Sequence, residues 1–313
     1  MGKTINMNKV GIIGDLINNA YGRARRAWQA KDLKGYQALA ISQTEQGSDY
    51  LDVNLDSTRN LNVKLEEIIA FLPDLIPALQ EVSPLPLCFD HPSLAFHQAA
   101  IEAYDFKKSP PPLINSIAAS RQELDELVAL AGQYKASVLA IVSEKVTASG
   151  GAPCERPEES YETAQYFVDL LQSKATLSNE QIFLDPGLPP VGADTQGLVN
   201  MGLDAIKLIR ADKDMEGVHI SVGLSNFAWG TPKNIRASME RAYLSVAGEL
   251  GLDYSISNPE HNPQPLAMND PLVIGLKDAL KQARPLEGET IAESGFRQTT
   301  AILNLVKDDD DDF

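Results

Sequence analysis

The chain alternates short apolar, β-branched runs with longer segments whose apolar residues recur every three to four positions, the pattern of strand–helix units on a parallel sheet. Eight such runs follow one another: KVGIIGD (residues 9–15), DYLDVNL (49–55), LPLCFD (85–90), PLINS (112–116), SVLAIVS (137–143), QIFLDP (181–186), VHISVGLS (218–225) and DYSISN (253–258). Helical spacing fills residues 62–80, 121–134, 161–173, 197–210 and 233–250 between them, and recurs at 272–282 and 289–306 after the last run. Eight repeats of strand then helix close into a (β/α)8 TIM barrel more readily than they spread into an open doubly wound sheet. In GSDYLDV and GLDYSIS a glycine is placed to end the helix before the strand. The Asn- and Pro-rich segment 259–270 reads as a loop over the barrel mouth.

Composition changes this picture little. With 43% hydrophobic residues in 313, and 19 Pro and 21 Gly scattered without a linker, residues 1–307 read as one barrel domain. The run Asp308 to Asp312 repels itself, so 308–313 reads as an acidic disordered tail. A net charge of -16 argues against nucleic acid, which demands clustered Lys and Arg. No apolar stretch approaches a membrane span, so no membrane partner and a cytoplasmic location are expected. The cysteines Cys88 and Cys154 are too few for a disulfide framework or a four-thiolate site. His91, His97, His219 and His261 lack the paired spacing of metal ligands, so no metal of its own is expected.

In such a barrel the C-terminal ends of the strands line the active site, which gives polar residues there functional weight. These ends carry Asp15, Asn18, Asp52, Asn54, Asp56, Asp90, Asn115, Glu144, Lys145, Asp185 and Asn226. Nearly all are Asp or Asn. Asp accepts from ring N–H and amino groups while Asn both donates and accepts, so the set suits a small, neutral, nitrogen-rich ligand. No phosphate loop or G-x-G-x-x-G turn favours a nucleotide. An Asp or Asn after a strand also serves as a helix cap or turn former, and Asp15 and Asp56 are the two read that way. Pro186 holds the backbone of Asp185 extended.

The runs VGIIGDLIN, GSDYLDVNLD, PLCFD, LINS, IFLDPGLPP and VGLSNFAWG, in this order over about residues 9–262, resemble the pterin-binding barrel of methyltetrahydrofolate:corrinoid protein methyltransferases, a dihydropteroate synthase-like fold. That resemblance implies transfer of a methyl group between N5 of methyltetrahydrofolate and the Co(I) of a corrinoid carried by a separate protein. It also implies a homodimer. By the same resemblance Asp90 and Asp185 accept hydrogen bonds from the pterin, Asn115 completes its recognition, and Asp52 and Asn54 line the floor. Asn226, in GLSN, matches a mobile Asn that approaches N5, and Arg236 matches an Arg near the substrate; Asn226 and Asp185 are the catalytic candidates. The chain departs from its relatives in carrying His91 and Pro92 after Asp90 and Asp15 where Glu is common. His91 reads as a cap or surface residue.

No D-x-H-x-x-G signature is present, so the corrinoid has to arrive on a transient partner. Two rival readings stand beside the methyltransferase. A dihydropteroate synthase shares the barrel, but its basic C-terminal motif and the Thr-Pro-Asp-Ser-Phe pattern after strand one are absent. A non-catalytic pterin-binding subunit of a demethylase complex would share the pocket without the chemistry.

Overall fold

The structure, a computed structural model, describes residues 9–148, 150–229 and 231–305, and the acidic segment 308–313 lies outside the described residues. In chain order the elements are β1 (Gly11–Asn18), α1 (Gly22–Ala30), α2 (Leu33–Glu45), β2 (Tyr50–Asn54), α3 (Leu65–Val82), β3 (Leu87–Asp90), α4 (Leu94–Glu102), β4 (Leu113–Ile117), α5 (Leu124–Tyr134) and β5 (Ser137–Ile141). There follow β6 (Glu144–Thr147), β7 (Gly150–Pro153), α6 (Pro157–Leu170), β8 (Ile182–Asp185), α7 (Leu198–Ala211), β9 (His219–Gly223), α8 (Leu224–Phe227), α9 (Arg236–Glu249), β10 (Tyr254–Ser257), α10 (Pro271–Gln282) and α11 (Ile291–Asn304). Eight parallel strands close in the order β1-β10-β9-β8-β5-β4-β3-β2, with β6 and β7 forming a separate antiparallel hairpin. The fold is a (β/α)8 TIM barrel, and each of the eight apolar runs supplies one strand. No helix among the described residues is long and apolar enough to cross a membrane.

Alternation along the strands divides the apolar residues into two cores. Leu51 and Val53 of β2, with Ile114, Val138, Leu184 and Val222, point outward against the helices. Helix α3 meets them with Ile68, Phe71, Leu72, Leu75, Ile76 and Leu79, one continuous stripe at three- and four-residue spacing. Its two prolines, Pro73 and Pro77, lie off that stripe on the outer side, where water can satisfy the carbonyls they leave free. Inside the barrel a smaller core gathers Ile13, Cys88, Leu113, Leu139 and Phe183, with Tyr50 and Tyr254 packed against it. The Phe183 ring lies 5.8 Å from Tyr50 and 5.0 Å from Tyr254 between centroids, plugging the lower barrel. Within the barrel, this packing leaves space for a ligand toward the strands' C-terminal ends.

Gly47 and Gly251 adopt φ values of 82° and 107°, the left-handed geometry expected of helix-ending glycines. Segment 259–270, by contrast, begins at the mouth, where the charge of His261 acts on Asp15, and then leaves it. Gln264 accepts from the amide of Val10 at 3.1 Å and donates to its carbonyl at 3.0 Å, so the segment runs down the outside of the barrel to the start of β1. The side-chain amide of Gln264 substitutes for a strand neighbour there, a role that an Asn/Pro-rich composition does not announce.

Candidate functional site

The mouth is built from side chains that alternation turns inward. On β2 the outward Leu51 and Val53 leave Asp52 and Asn54 facing the barrel axis, and β3 turns Asp90 the same way above Cys88. Asp90 and Asn115 are register partners on β3 and β4. Asn54 donates its amide to Asp90 at 2.8 Å, so β2, β3 and β4 bring Asn54, Asp90 and Asn115 into one polar sector. Asp185 ends β8 on the other side of the mouth and accepts from the backbone N–H of Gly187 at 2.7 Å.

Asp15 is not a cap. The pairing of β1 with β2 advances three residues on β1, from Gly14 to Ile17, against two on β2, a bulge that sets Asp15 and Leu16 opposite Asp52. The strand therefore continues to Asn18, and Asp15 is buried mid-strand, where Tyr21 donates its hydroxyl to both carboxylate oxygens at 3.1 and 3.0 Å. Ser225, next to Asn226, adjoins both Asp15 and Tyr21. Asp56 caps no helix either; it pairs with Nε2 of His91 at 3.0 Å. His91 is buried rather than superficial, its Nδ1 accepting from Ser93 at 2.9 Å and its ring stacked on Phe96. With both nitrogens engaged it anchors the start of α4.

Burial governs the electrostatics. Asp15, Asp90 and Asp185 are each pushed up to about 6 by loss of hydration, opposed at Asp15 by Ser225 and Tyr21, at Asp90 by the Asn54 amide and at Asp185 by the Gly187 N–H. Asp52 is raised well above the usual carboxylate range by burial and by the charge of Asp90. Neither of its oxygens has a hydrogen-bond partner among the described residues. At neutral pH Asp15, Asp90 and Asp185 are therefore largely ionised at the cost of their hydration, and a ligand offering N–H groups gives such buried carboxyls partners.

The two remaining predicted residues stand apart from this polar floor. Asn226 lies exposed on α8, its amide nitrogen 3.1 Å from the point where Gly223 would carry a Cβ, so the glycine leaves the space that the amide uses. Arg236 opens α9 and donates to the Thr231 carbonyl at 3.1 Å, bracing the turn after α8. The sequence pattern overlooked Tyr21, Ser225 and Arg121. Arg121 donates to the Ser116 carbonyl at 3.3 Å, and its charge, after that of His91, helps to hold Asp90 down. Its place in the loop between β4 and α5, where charged residues are ordinary, hid it. A cavity of about 390 Å³ opens beside Asp185, lined by Ile141, Glu144, Pro186, Leu188 and Met201 among others.

The sequence profile of pterin binding enzymes matches residues 17–258 of the chain. The chain belongs to that family. A methylcorrinoid:tetrahydrofolate methyltransferase of Eubacterium limosum is 25% identical over 252 residues, covering 79% of this chain and 84% of the relative. Among solved structures, a dihydropteroate synthase of Coxiella burnetii in complex with pteroic acid superposes with a TM-score of 0.55 at 17% identity, over 79% of this chain and 87% of that one. A Yersinia pestis dihydropteroate synthase bound to a pterine-sulfa conjugate gives 0.55 at 18% identity, over 83% and 92%. At those identities the likeness speaks for the barrel alone. For a pterin-binding enzyme, the strand ends are where a ligand meets the protein.

Proposed function

We propose that this pterin-binding enzyme transfers a methyl group between a corrinoid carried by a separate protein and N5 of tetrahydrofolate. The observation that carries the reading is the polar floor: Asp90 held by Asn54, Asn115 beside it in register, and Asp185 across the mouth, all buried or half-buried and none paired with a cation among the described residues at hydrogen-bonding distance. A pterin's amino and ring N–H groups are the donors those acceptors lack, and Asn115 can serve the ring's acceptor edge. The Eubacterium limosum relative supports the choice of reaction. Fold likeness to dihydropteroate synthases supports only the barrel, so the synthase is not preferred.

Toward folate, the N5 lone pair forms the new C–N bond, the Co–C pair stays on cobalt, and N5 sheds one proton. In the reverse direction N5 gains one. Asn226 orients N5 but cannot exchange that proton. Asp15, titrating at about 6 and adjoining Ser225 next to Asn226, takes it through water. The chain's own work is to hold the ring flat on the floor and to present N5 at the open rim.

Asn226→Ala tests the assignment. Its exposed site leaves the fold intact, while transfer falls on the order of a hundredfold or more, the usual cost of removing one positioned hydrogen-bonding group. Turnover within twofold of the unmodified protein would remove Asn226 from the mechanism.

A further inference from the structure

Described residues on either side of the turn after Asn226 are packed or hydrogen-bonded, yet the turn displays a tryptophan. Phe227 is buried with its ring 4.8 Å from Tyr243, and Ala228 is buried behind it. Thr231 donates through both its amide, at 3.1 Å, and its hydroxyl, at 2.6 Å, to the Ala228 carbonyl, and Arg236 closes onto Thr231. Within this frame Trp229 is 63% exposed. Its amide donates to the Asn226 carbonyl at 3.0 Å, the one-turn spacing that sets two side chains on the same face. Among the described residues the indole has no ring or hydrogen-bond partner, and it stands one turn from the proposed transfer residue.

Two strands on, the cavity beside Asp185 carries Pro186, Leu188 and Ile141 together with the polar Ser143 and Glu144, and the hairpin β6–β7 adds Val146, 45% exposed. The carboxylates Asp15, Asp52 and Asp90 lie on β1 to β3, and Asp185 ends β8 beside this cavity. Resting on the methyl-transfer reading above, we propose that Trp229 is the contact surface for the methyl-bearing corrinoid macrocycle, packing its indole against that broad, largely apolar ring system and setting it over Asn226. The choice of the macrocycle over the carrier's polypeptide follows from position: Trp229 is one helical turn from Asn226, and the cobalt has to come within bonding distance of the methyl group there. Trp229 is a positioning residue, not a catalytic one.

The test uses the full chain, methyltetrahydrofolate and free cob(I)alamin, followed by the cobalt absorption spectrum. Trp229→Ala is expected to raise KM for cob(I)alamin about tenfold, the scale at which a buried Trp anchor registers. The Kd for methyltetrahydrofolate stays unchanged, and Trp229→Phe recovers most of the loss. An unchanged KM for cob(I)alamin overturns the proposal. So does a loss seen only with a corrinoid carrier protein, which would place the contact on the polypeptide, and so does a matching rise in the folate Kd, which would place the indole on the folate tail. Failure of the unmodified protein to form methyl-cobalt at all is a different result: it defeats the methyl-transfer reading itself, and this inference with it.

Discussion

Asp185→Asn separates what the site costs the fold from what it gives the ligand. Burial lifts Asp185 from its ordinary 3.8 to about 6, even with the Gly187 N–H bonded to one oxygen. A group whose folded value is raised stabilises the fold at low pH, and that contribution is lost as pH rises through the folded value. At pH 7.5 the unliganded protein therefore carries an ionised carboxylate that the unfolded chain holds more easily. The displacement corresponds to ~3 kcal/mol at most. Asparagine keeps the shape and an oxygen for Gly187 but removes the charge. The variant should gain stability by ~1–3 kcal/mol at pH 7.5, a rise of several degrees in Tm. The gain should shrink steadily below pH 6 and be gone by pH 4, where the native carboxyl is already protonated. Urea unfolding of both proteins at pH 7.5, 6 and 4.5, beside methyltetrahydrofolate binding at pH 7.5, checks both halves. A variant less stable at pH 7.5, or a difference independent of pH, would refute the argument that Asp185 is an uncompensated buried charge awaiting a donor.

Binding of the pterin should itself depend on pH. Asp90 and Asp185 both titrate at about 6, so at pH 5 each is ionised in only about one molecule in ten, and Kd should rise on the order of a hundredfold between pH 7.5 and 5, with no change above 7. A flat profile in a fluorescence titration contradicts the assignment of both carboxylates. Gly223→Ala puts a methyl group 3.1 Å from the Asn226 amide, so the amide has to shift by a few tenths of an ångström. Methyl transfer should fall about tenfold while folate affinity and Tm hold. Tyr21→Phe removes a donor that holds Asp15 down, so in the corrinoid-to-folate direction, where Asp15 is the base, the acidic limb of the rate profile should move to higher pH; an unmoved limb would take Asp15 out of the proton path.

The barrel was legible because its strands obey a simple rule: short apolar runs that turn polar at inward positions near their ends, as in LDVN and LCFD. The same rule exposed Asp52, Asn54, Asp90, Asn115 and Asp185, since alternation alone fixes which side of the sheet they face. What escaped depends on contacts distant in sequence. The bulge that buries Asp15 exists only against β2, and nothing within KVGIIGDLIN marks it. The β6–β7 hairpin is short and polar, and it rests on Ser120, which donates to Glu144 at 3.0 Å, and on Gly151, where any side chain would collide with that carboxylate. Helices α1, α2 and α4 lie outside the helical segments picked out by spacing. α1 is rich in Arg and α4 apolar over much of its length, so neither shows a broad stripe. The inverse held at 259–270, where turn-forming composition suggested a lid and one Gln side chain pins the segment to the barrel's other end.

The central claim is that these residues move a methyl group at the barrel mouth. Purified chain mixed with methyltetrahydrofolate and chemically reduced cob(I)alamin, monitored at the cobalt absorption bands, tests it directly. The account predicts stoichiometric conversion of Co(I) to methyl-cobalt with release of tetrahydrofolate, slowed on the order of a hundredfold or more by Asn226→Ala. Tight binding of methyltetrahydrofolate with no methyl-cobalt formed, from either free cob(I)alamin or a corrinoid carrier protein, would contradict it and leave a pterin-binding subunit without the chemistry.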